Sequence, residues 1–269
     1  MKFHFRLMPA EEIPPWGTEQ GQPTLSWFGL TRGYFWIEVG GQELFRYTDA
    51  VLDHWQRLYP RSLRASLPYE EYQVARYWED LLDMLPAILD PLPDDFAKRL
   101  VDASRWRSWE EGALRWAKEC GDESLDIYST GLEWWSQRRW QAWHLAHPPR
   151  LWLWRVKDMI HIRWDNRDIT VDGMLVWEAQ QGEYTLSVAE FLAAVESFHA
   201  RFLSKMELRV NAVRTAWSRP KVKIDFDALI LEQAARPGWL EYTVRPTTVQ
   251  RALSWEQVRE AIAATDQAE

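Results

Sequence analysis

Nineteen tryptophans among 269 residues constrain what this chain can fold into more than any other feature. Each indole is a large apolar body carrying one N–H donor, so burying it requires both packing area and an acceptor. The tryptophans run from Trp16 to Trp255, densest at Trp106/Trp109/Trp116, Trp134/Trp135/Trp140/Trp143 and Trp152/Trp154/Trp164. That spread predicts an aromatic-rich core rather than one aromatic binding patch. Hydrophobic residues at 46% against 27% charged supply enough apolar surface for a sizeable core. No polar linker, repeat or low-complexity stretch divides the sequence, which predicts a single domain over residues 1–269.

The formal net charge of −8 argues against a nucleic-acid or anionic-membrane partner, both of which need a basic footprint, and suits either solubility or a basic protein partner. Cys120 is the one cysteine, so neither an internal disulfide nor a thiolate metal cluster is available. The N-terminal MKFHFRLMPAEEIPPWG lacks a signal-peptide core, and no apolar run approaches the ~20 residues that span a bilayer. Together these predict a cytoplasmic protein.

Periodicity predicts an α+β fold in which antiparallel strands pack against several helices. Residues 25–47 read as a three-stranded meander turning at Arg32-Gly33 and at Gly40-Gly41, two-residue hairpin signals. Pairing about Gly40-Gly41 sets Ile37 opposite Leu44, Glu38 opposite Glu43 and Trp36 opposite Phe45; pairing about Arg32-Gly33 sets Trp27 opposite Glu38. One face then carries Phe28, Leu30, Phe35, Ile37, Val39 and Leu44, and the other Trp27, Tyr34, Trp36, Phe45 and Tyr47 with the two glutamates.

The middle, residues 66–147, reads as helical. Ser66 and Pro68 open a helix over Tyr69 to Leu89, followed by helices near Asp94 to Ala103, Ser108 to Lys118 with Ser108 and Glu111 as capping pair, and Thr130 to Leu145. Central strands occupy 151–186: Leu151 to Val156, Ile160 to Trp164, Leu175 to Glu178 and Tyr184 to Leu186, the last two joined through Gln180-Gln181-Gly182. Ser187 and Glu190 form a capping box for a long helix over 187–216, whose stripe is Val188, Phe191, Leu192, Val195, Phe198, Phe202, Met206, Val210 and Val213. The remainder, 221–264, reads as a strand at Val222 to Phe226, a short helix capped by Asp227 and a last helix capped by Ser254 and Gln257, with the closing TDQAE loose.

The commonest nucleotide-binding, esterase and zinc-protease readings have no motif to support them. The sequence contains no G-x-G-x-x-G, no G-x-x-x-x-G-K-[ST], no G-x-S-x-G, no H-E-x-x-H and no C-x-x-C. No cofactor and no metal is implied.

The sharpest candidate site is the carboxylate pair Glu38 and Glu43, side by side across the hairpin with Trp27 and Trp36 beside them. Like charges directly opposite repel, so a cation, an arginine or open water should adjoin them. Indole walls around paired carboxylates suit a cationic ligand or a basic side chain; a wet hairpin end over packed aromatics is the structural alternative. His144 and His147, three apart near a helix end, have the spacing of two metal ligands but no completing carboxylate or cysteine in the local sequence. His161, Arg163 and Asp165 alternate on one side of a strand, as an acid/base row or a solvated face would; Asp158, Asp168, Asp172 and Gly173 lack calcium-loop spacing. Cys120 at a helix C-terminus reads as a small buried residue rather than a nucleophile. Arg138 and Arg139 among the tryptophans read as arginine stacked on indole in a helix layer.

The stretch WFGLTRGYFWIEVGGQELFRY, preceded by IPPWG at residues 13–17, resembles an uncharacterised bacterial family known as a domain of unknown function. FHARFLSKMELRV and the Ser254-Trp255 helix are compatible with it over most of the chain. The resemblance implies bacterial origin and one shared architecture, and it carries no activity, cofactor or catalytic residue. The residues thus point first to a non-catalytic protein-binding module, such as a toxin-neutralising immunity protein, contacting a basic partner through Trp27, Trp36, Glu38 and Glu43. An enzyme or small-ligand receptor with an aromatic pocket, its acid/base pair Glu38/Glu43 or His161/Asp165, is the alternative. A self-associating assembly subunit is a third reading.

Overall fold

The N-terminal KFHFRL alternates apolar and polar side chains, the period-2 signature of a half-buried strand, and it forms the outer strand of the first sheet. In the computed structural model, which describes residues 1–59, 67–100, 103–245 and 254–266, this strand β1 (Lys2–Leu7) pairs antiparallel with β4 (Arg32–Val39). Between them in the chain a small hairpin is made by β2 (Gly17–Glu19) and β3 (Gln22–Thr24). The far edge of β4 is shared by β5 (Gln42–Leu44), which takes Ile37 to Val39, and β6 (Glu70–Gln73), which takes Arg32 to Phe35. Helix α1 (Asp49–Leu58), N-capped by Thr48, connects onward from β5.

The fold is α+β, with the Gly40-Gly41 hairpin in the expected register: Ile37 opposite Leu44, Glu38 opposite Glu43, Val39 opposite Gln42. The meander itself is corrected. Residues 25–31 form no strand but turn through a 3₁₀ segment at Gly29–Thr31, and Arg32-Gly33 lies inside β4 rather than at a hairpin. Gly33 is required there by close approach: a Cβ would sit 2.3 Å from the Arg6 carbonyl oxygen on β1. Phe45 is corrected as well. Its positive φ of 67° ends the pairing after Leu44 and turns the ring inward, against Phe35, Tyr77, Trp140 and Trp177, instead of across from Trp36.

The expected helix over 69–89 splits into β6 and α2 (Val74–Leu89), because Glu70 to Gln73 are recruited to the β4 edge; Ser66 lies outside the described residues. Next come α3 (Asp94–Arg99), α4 (Ala103–Cys120) and α5 (Asp122–Ser136). Ser108 and Glu111 therefore fall inside α4 and cap nothing, and the helix expected to reach Leu145 stops at Ser136. The second sheet is β7 (Leu151–Val156), β8 (Met159–Asp165) and β11 (Gln181–Ser187), with β8 central. A miniature hairpin of β9 (Thr170–Val171) and β10 (Met174–Leu175) turns at Asp172-Gly173, both at positive φ. Gln181-Gly182 is strand rather than turn: the Trp164 ring lies over Gly182, where a Cβ would sit 2.2 Å from it. Val176 to Glu178 form no strand.

Helix α6 (Val188–Thr215) carries the predicted capping box, and its buried residues Phe191, Val195, Phe198, Phe202, Met206, Val210 and Val213 follow the predicted stripe. Helices α7 (Phe226–Ala235), α8 (Trp239–Val244) and α9 (Trp255–Asp266) complete the fold. The α7 cap is Asp225, whose side chain accepts from Ala228 N–H, not Asp227. Residues 222–226 make only an isolated bridge, Lys223 to Thr24. Ser254 and Gln257 do cap α9, but Thr265 is buried in that helix rather than loose; residues 267–269 lie outside the described part.

The β7–β8 layer explains where the tryptophans go. Its Leu151, Leu153, Ile160 and Ile162 face the main core built from the first sheet, α2 and α6. Trp152 and Trp154, on the opposite face by alternation, join a second cluster with Phe96, Trp106, Trp109, Trp134, Trp135 and Ile262 from α3, α4, α5 and α9. Burying each indole removes on the order of 200 Å² from water, or about 5 kcal/mol of gross apolar stabilisation at ~25 cal/mol per Å². No described helix is long and apolar enough to cross a membrane.

Candidate functional site

Antiparallel register builds the site at the hairpin. Trp36 on β4 stands directly across from His4 on β1, while Tyr69 flanks it on the other side through the start of β6. The three rings stack: His4 on Trp36 at 5.0 Å and Trp36 on Tyr69 at 4.1 Å, each 6° from parallel. The Arg46 guanidinium continues the column, 6.0 Å from the Tyr69 ring centre.

The paired carboxylates hang from this column. Glu38 Oε2 lies 3.1 Å from His4 Nε2. Glu43 accepts from Arg46 Nη1 at 2.8 Å and from the Tyr69 hydroxyl at 2.9 Å. The hydrogen bond and charge of Glu43 hold Arg46 above its ordinary pKa despite partial burial. Burial, then the bond to Glu43, raises the Tyr69 phenol. The adjoining cation anticipated from the like-charge register is thus Arg46, three residues beyond Glu43. Around it lies an open depression of about 440 Å³ lined by Glu38, Gly41, Gln42, Glu43, Arg46 and Glu178. Glu178 reaches the rim because its N–H donates to the Arg46 carbonyl at 2.8 Å. It missed notice in the sequence because it lies 135 residues after Glu43, with no local pattern to join them.

Trp36, Glu38 and Glu43 are brought together; Trp27 is not. Trp27 is fully buried, with its N–H donating to Gln233 Oε1 at 2.8 Å and the Arg236 guanidinium 3.8 Å from its ring centre. The expectation that it faces Glu38 fails because residues 25–31 are not a strand. The cation over Trp27 is internal.

The other candidates resolve differently. His144 is not at a helix end: it lies in the irregular stretch after α5, its ring 4.3 Å from Tyr72 and Nδ1 3.9 Å from Asp80 Oδ2 on α2. His147 takes separate partners, its ring near Trp55 and its carbonyl accepting from Trp177. Around His144 the buried Asp80 Oδ2, Tyr77 hydroxyl and both imidazole nitrogens have no hydrogen-bond partner among the described residues. Burial pushes Asp80 up to about 7 against the pull of Arg76, and burial with Arg76 lowers His144 to about 4. Glu70, half-buried at the start of β6, is raised to about 8 by burial and by Glu71.

The row His161, Arg163 and Asp165 is neither a constellation nor a solvated face. Arg163 is buried over Trp154, donates to the Leu100 carbonyl at 2.6 Å and pairs with Glu183; His161 stacks on Trp154; Asp165 pairs with Arg167 at 2.9 Å. Cys120 ends α4 as expected but is exposed, since it lies beyond the last buried turn of that helix. Arg138 is buried, donating to the Trp134 and Asp90 carbonyls, and Arg139 lies against Trp143 and Trp152. Both guanidinium groups lie over indoles, Arg138 5.7 Å from the Trp255 ring centre and Arg139 near Trp143 and Trp152, but both arginines follow α5 rather than sit in the expected helix layer. Among the described residues no group of three or more His, Cys, Asp or Glu is arranged to hold a metal ion.

A family sequence profile described as "Family of unknown function (DUF5984)" matches residues 2–261. The chain belongs to the DUF5984 family. No curated protein and no solved structure matches it. The DUF5984 match spans β1 into α9, so it covers the hairpin site and all of the second hydrophobic cluster except Ile262.

Proposed function

We propose that the protein is a non-catalytic binding module of the bacterial cytoplasm, docking a basic protein partner on the β4–β5 hairpin face; a toxin-neutralising immunity protein is one concrete form. The observation that carries this reading is the open depression in which three carboxylates, Glu38, Glu43 and Glu178, face a single arginine. An open acidic face of this kind attracts a lysine- or arginine-bearing surface and steers its approach. The half-exposed Trp36, fixed between His4 and Tyr69, is an aromatic of the type interfaces use as anchors.

The test is capture of partners from native lysate by the tagged protein, with light scattering of the eluate, for the wild type and for Glu38→Lys/Glu178→Lys. The wild type is expected to hold a stoichiometric basic protein and the double variant to lose it. A partner retained by the variant overturns the reading. A monomer that retains no protein shifts it to a small-ligand receptor or enzyme, for which the buried polar atoms of Asp80, Tyr77 and His144 that make no hydrogen bond among the described residues are the supporting observation.

A further inference from the structure

Arginines in this protein that are withdrawn from solvent find an oxygen to hydrogen-bond or, for Arg76 with Asp80, to ion-pair with, with one exception among the described residues. Arg138 takes the Trp134 and Asp90 carbonyls, Arg163 the Leu100 carbonyl and Glu183, and Arg236 takes Glu79 and Glu232. Arg139 is half-buried and its guanidinium donates to none; the charge of Glu110 acts on it without a hydrogen bond. Its Cζ lies over two indoles instead, 5.4 Å from the Trp143 ring centre and 5.7 Å from that of Trp152. A cation–π contact of this kind occupies no N–H donor, so the guanidinium's N–H fork, the part that matches a two-oxygen anion, is not engaged by either indole.

The surroundings fix this geometry. Arg139 forms an antiparallel bridge with Trp152, and the flanking bonds Leu153 N–H to the Arg138 carbonyl (2.9 Å) and Trp140 N–H to the Leu151 carbonyl (2.8 Å) lay residues 138–140 along β7. Trp152 stacks on Trp135 behind it at 5.5 Å. On the outer side Trp143 is 70% exposed, yet its indole N–H is hydrogen-bonded to Gln141, which is itself tied to the Ser136 carbonyl at 2.8 Å. An exposed indole held in place over an arginine without an acceptor is a preorganised arrangement. A second cation, Arg150, acts on Arg139 from nearby while pairing with Asp168 at 2.6 Å.

We propose that Arg139 and Trp143 form an oxyanion-binding site, in which the guanidinium fork takes a carboxylate or phosphate group and the open indole face takes a planar or apolar part of the same small molecule. The site is distinct from the acidic hairpin depression and takes a ligand of opposite charge. Acceptors for the fork then come from the ligand, as they come from carbonyls and carboxylates at the other buried arginines.

The test is a titration of the full chain with benzoate, inorganic phosphate and the neutral isostere benzamide, followed through the arginine Nε–H and indole N–H resonances. Benzoate is expected to shift the Arg139 and Trp143 signals and to bind at least tenfold more tightly than benzamide. Arg139→Met is expected to abolish that preference, while Trp143→Ala, a change at an exposed side chain that leaves the fold intact, should weaken benzoate and leave phosphate unaffected. Tighter phosphate than benzoate identifies a phosphate-bearing ligand, and the reverse order a carboxylate. Equal binding of benzoate and benzamide, or a preference that survives in Arg139→Met and Arg139→Lys alike, overturns the proposal.

Discussion

Two places in this molecule combine the same ingredients, an arginine, stacked aromatics and two glutamates, and differ in depth. At the hairpin, Arg46 lies against Tyr69 with Glu43 beside it and Glu38 across the strand, and its side chain is 36% exposed. Under α7 and α8, Arg236 is 3.8 Å from the ring centre of Trp27, 4.8 Å from Trp239 and 5.9 Å from Trp78, paired with Glu79 and Glu232, and its side chain is 8% exposed. The buried cage joins α2, α7, α8 and the Trp27 turn, so its charges hold tertiary structure together. The open one holds its carboxylates at part-exposed positions, Glu38 beside His4 and Glu43 bonded to Arg46 and Tyr69, with Glu178 on the rim. Chemistry of this kind becomes structural or available for binding according to how much solvent reaches it.

The strongest way to break this contrast is Arg236→Ala. It leaves Glu79 without its partner under a protein surface and opens a gap between three indoles, so a loss of about 3–5 kcal/mol in denaturant unfolding is expected. A cost under about 1 kcal/mol would place Arg236 on the same footing as Arg46.

Close backbone packing in the first sheet gives the next effect. Gly33→Ala drives a methyl into the Arg6 carbonyl, 2.3 Å away on the neighbouring strand, and should cost roughly 2–3 kcal/mol with separation of β1 from β4. Because β1 carries His4, indole and tyrosine signals from the Trp36 column should shift in the same variant. Unchanged signals would show the column to be independent of β1.

The pH dependence separates the buried polar cluster from the exposed site. Asp80, at about 7 in the folded chain against an ordinary 3.8, keeps its proton through a range where the unfolded chain has lost it, so stability falls as pH rises through that range. His144, lowered to about 4, acts oppositely below its ordinary 6.5, where the unfolded imidazole gains a proton that the folded one refuses. Above pH 6.5 the histidine no longer opposes the carboxyls, and stability should decline toward pH 8, where Glu70 also ionises. Each group contributes a slope of at most about 1.4 kcal/mol per pH unit. Asp80→Asn should flatten the profile between pH 5 and 7; an unchanged profile would remove Asp80 as its source.

The smallest effect belongs to the hairpin. Glu38→Gln with Glu43→Gln removes two like charges that already share Arg46, His4 and Tyr69 at part-exposed positions, and a change within about 1 kcal/mol of either sign is expected. A loss as large as that of Arg236→Ala would make the carboxylates structural and undercut their availability to a partner.

How much was legible beforehand follows the range of the interactions. The Glu38–Glu43 register was readable because Gly40-Gly41 fixes it within six residues, and the α6 capping box and apolar stripe because both are local to one helix. Glu70 to Gln73 continue a helical pattern yet form a strand because the β4 edge offers hydrogen bonds that outweigh local propensity. Phe3 and Phe5 alternate plainly, but whether that alternation becomes a strand depends on a partner about 30 residues away. The buried Asp80–His144 neighbourhood had no sequence signal, since 64 residues separate two groups that only folding places 3.9 Å apart.

By itself, then, the sequence determined that the chain would bury an aromatic-rich core, carry an acidic surface, mix strands with helices and set two carboxylates across a glycine hairpin. Those outcomes follow from composition and from periods of two and 3.6, which act within a few residues. The tertiary structure alone decided which tryptophan meets which cation: Trp27 closes on Arg236, Trp36 on the Tyr69–Arg46 column, and Trp143 remains exposed over Arg139. Such pairings depend on where distant strands and helices close-pack and how far each pair is then removed from water, and no local pattern encodes that depth.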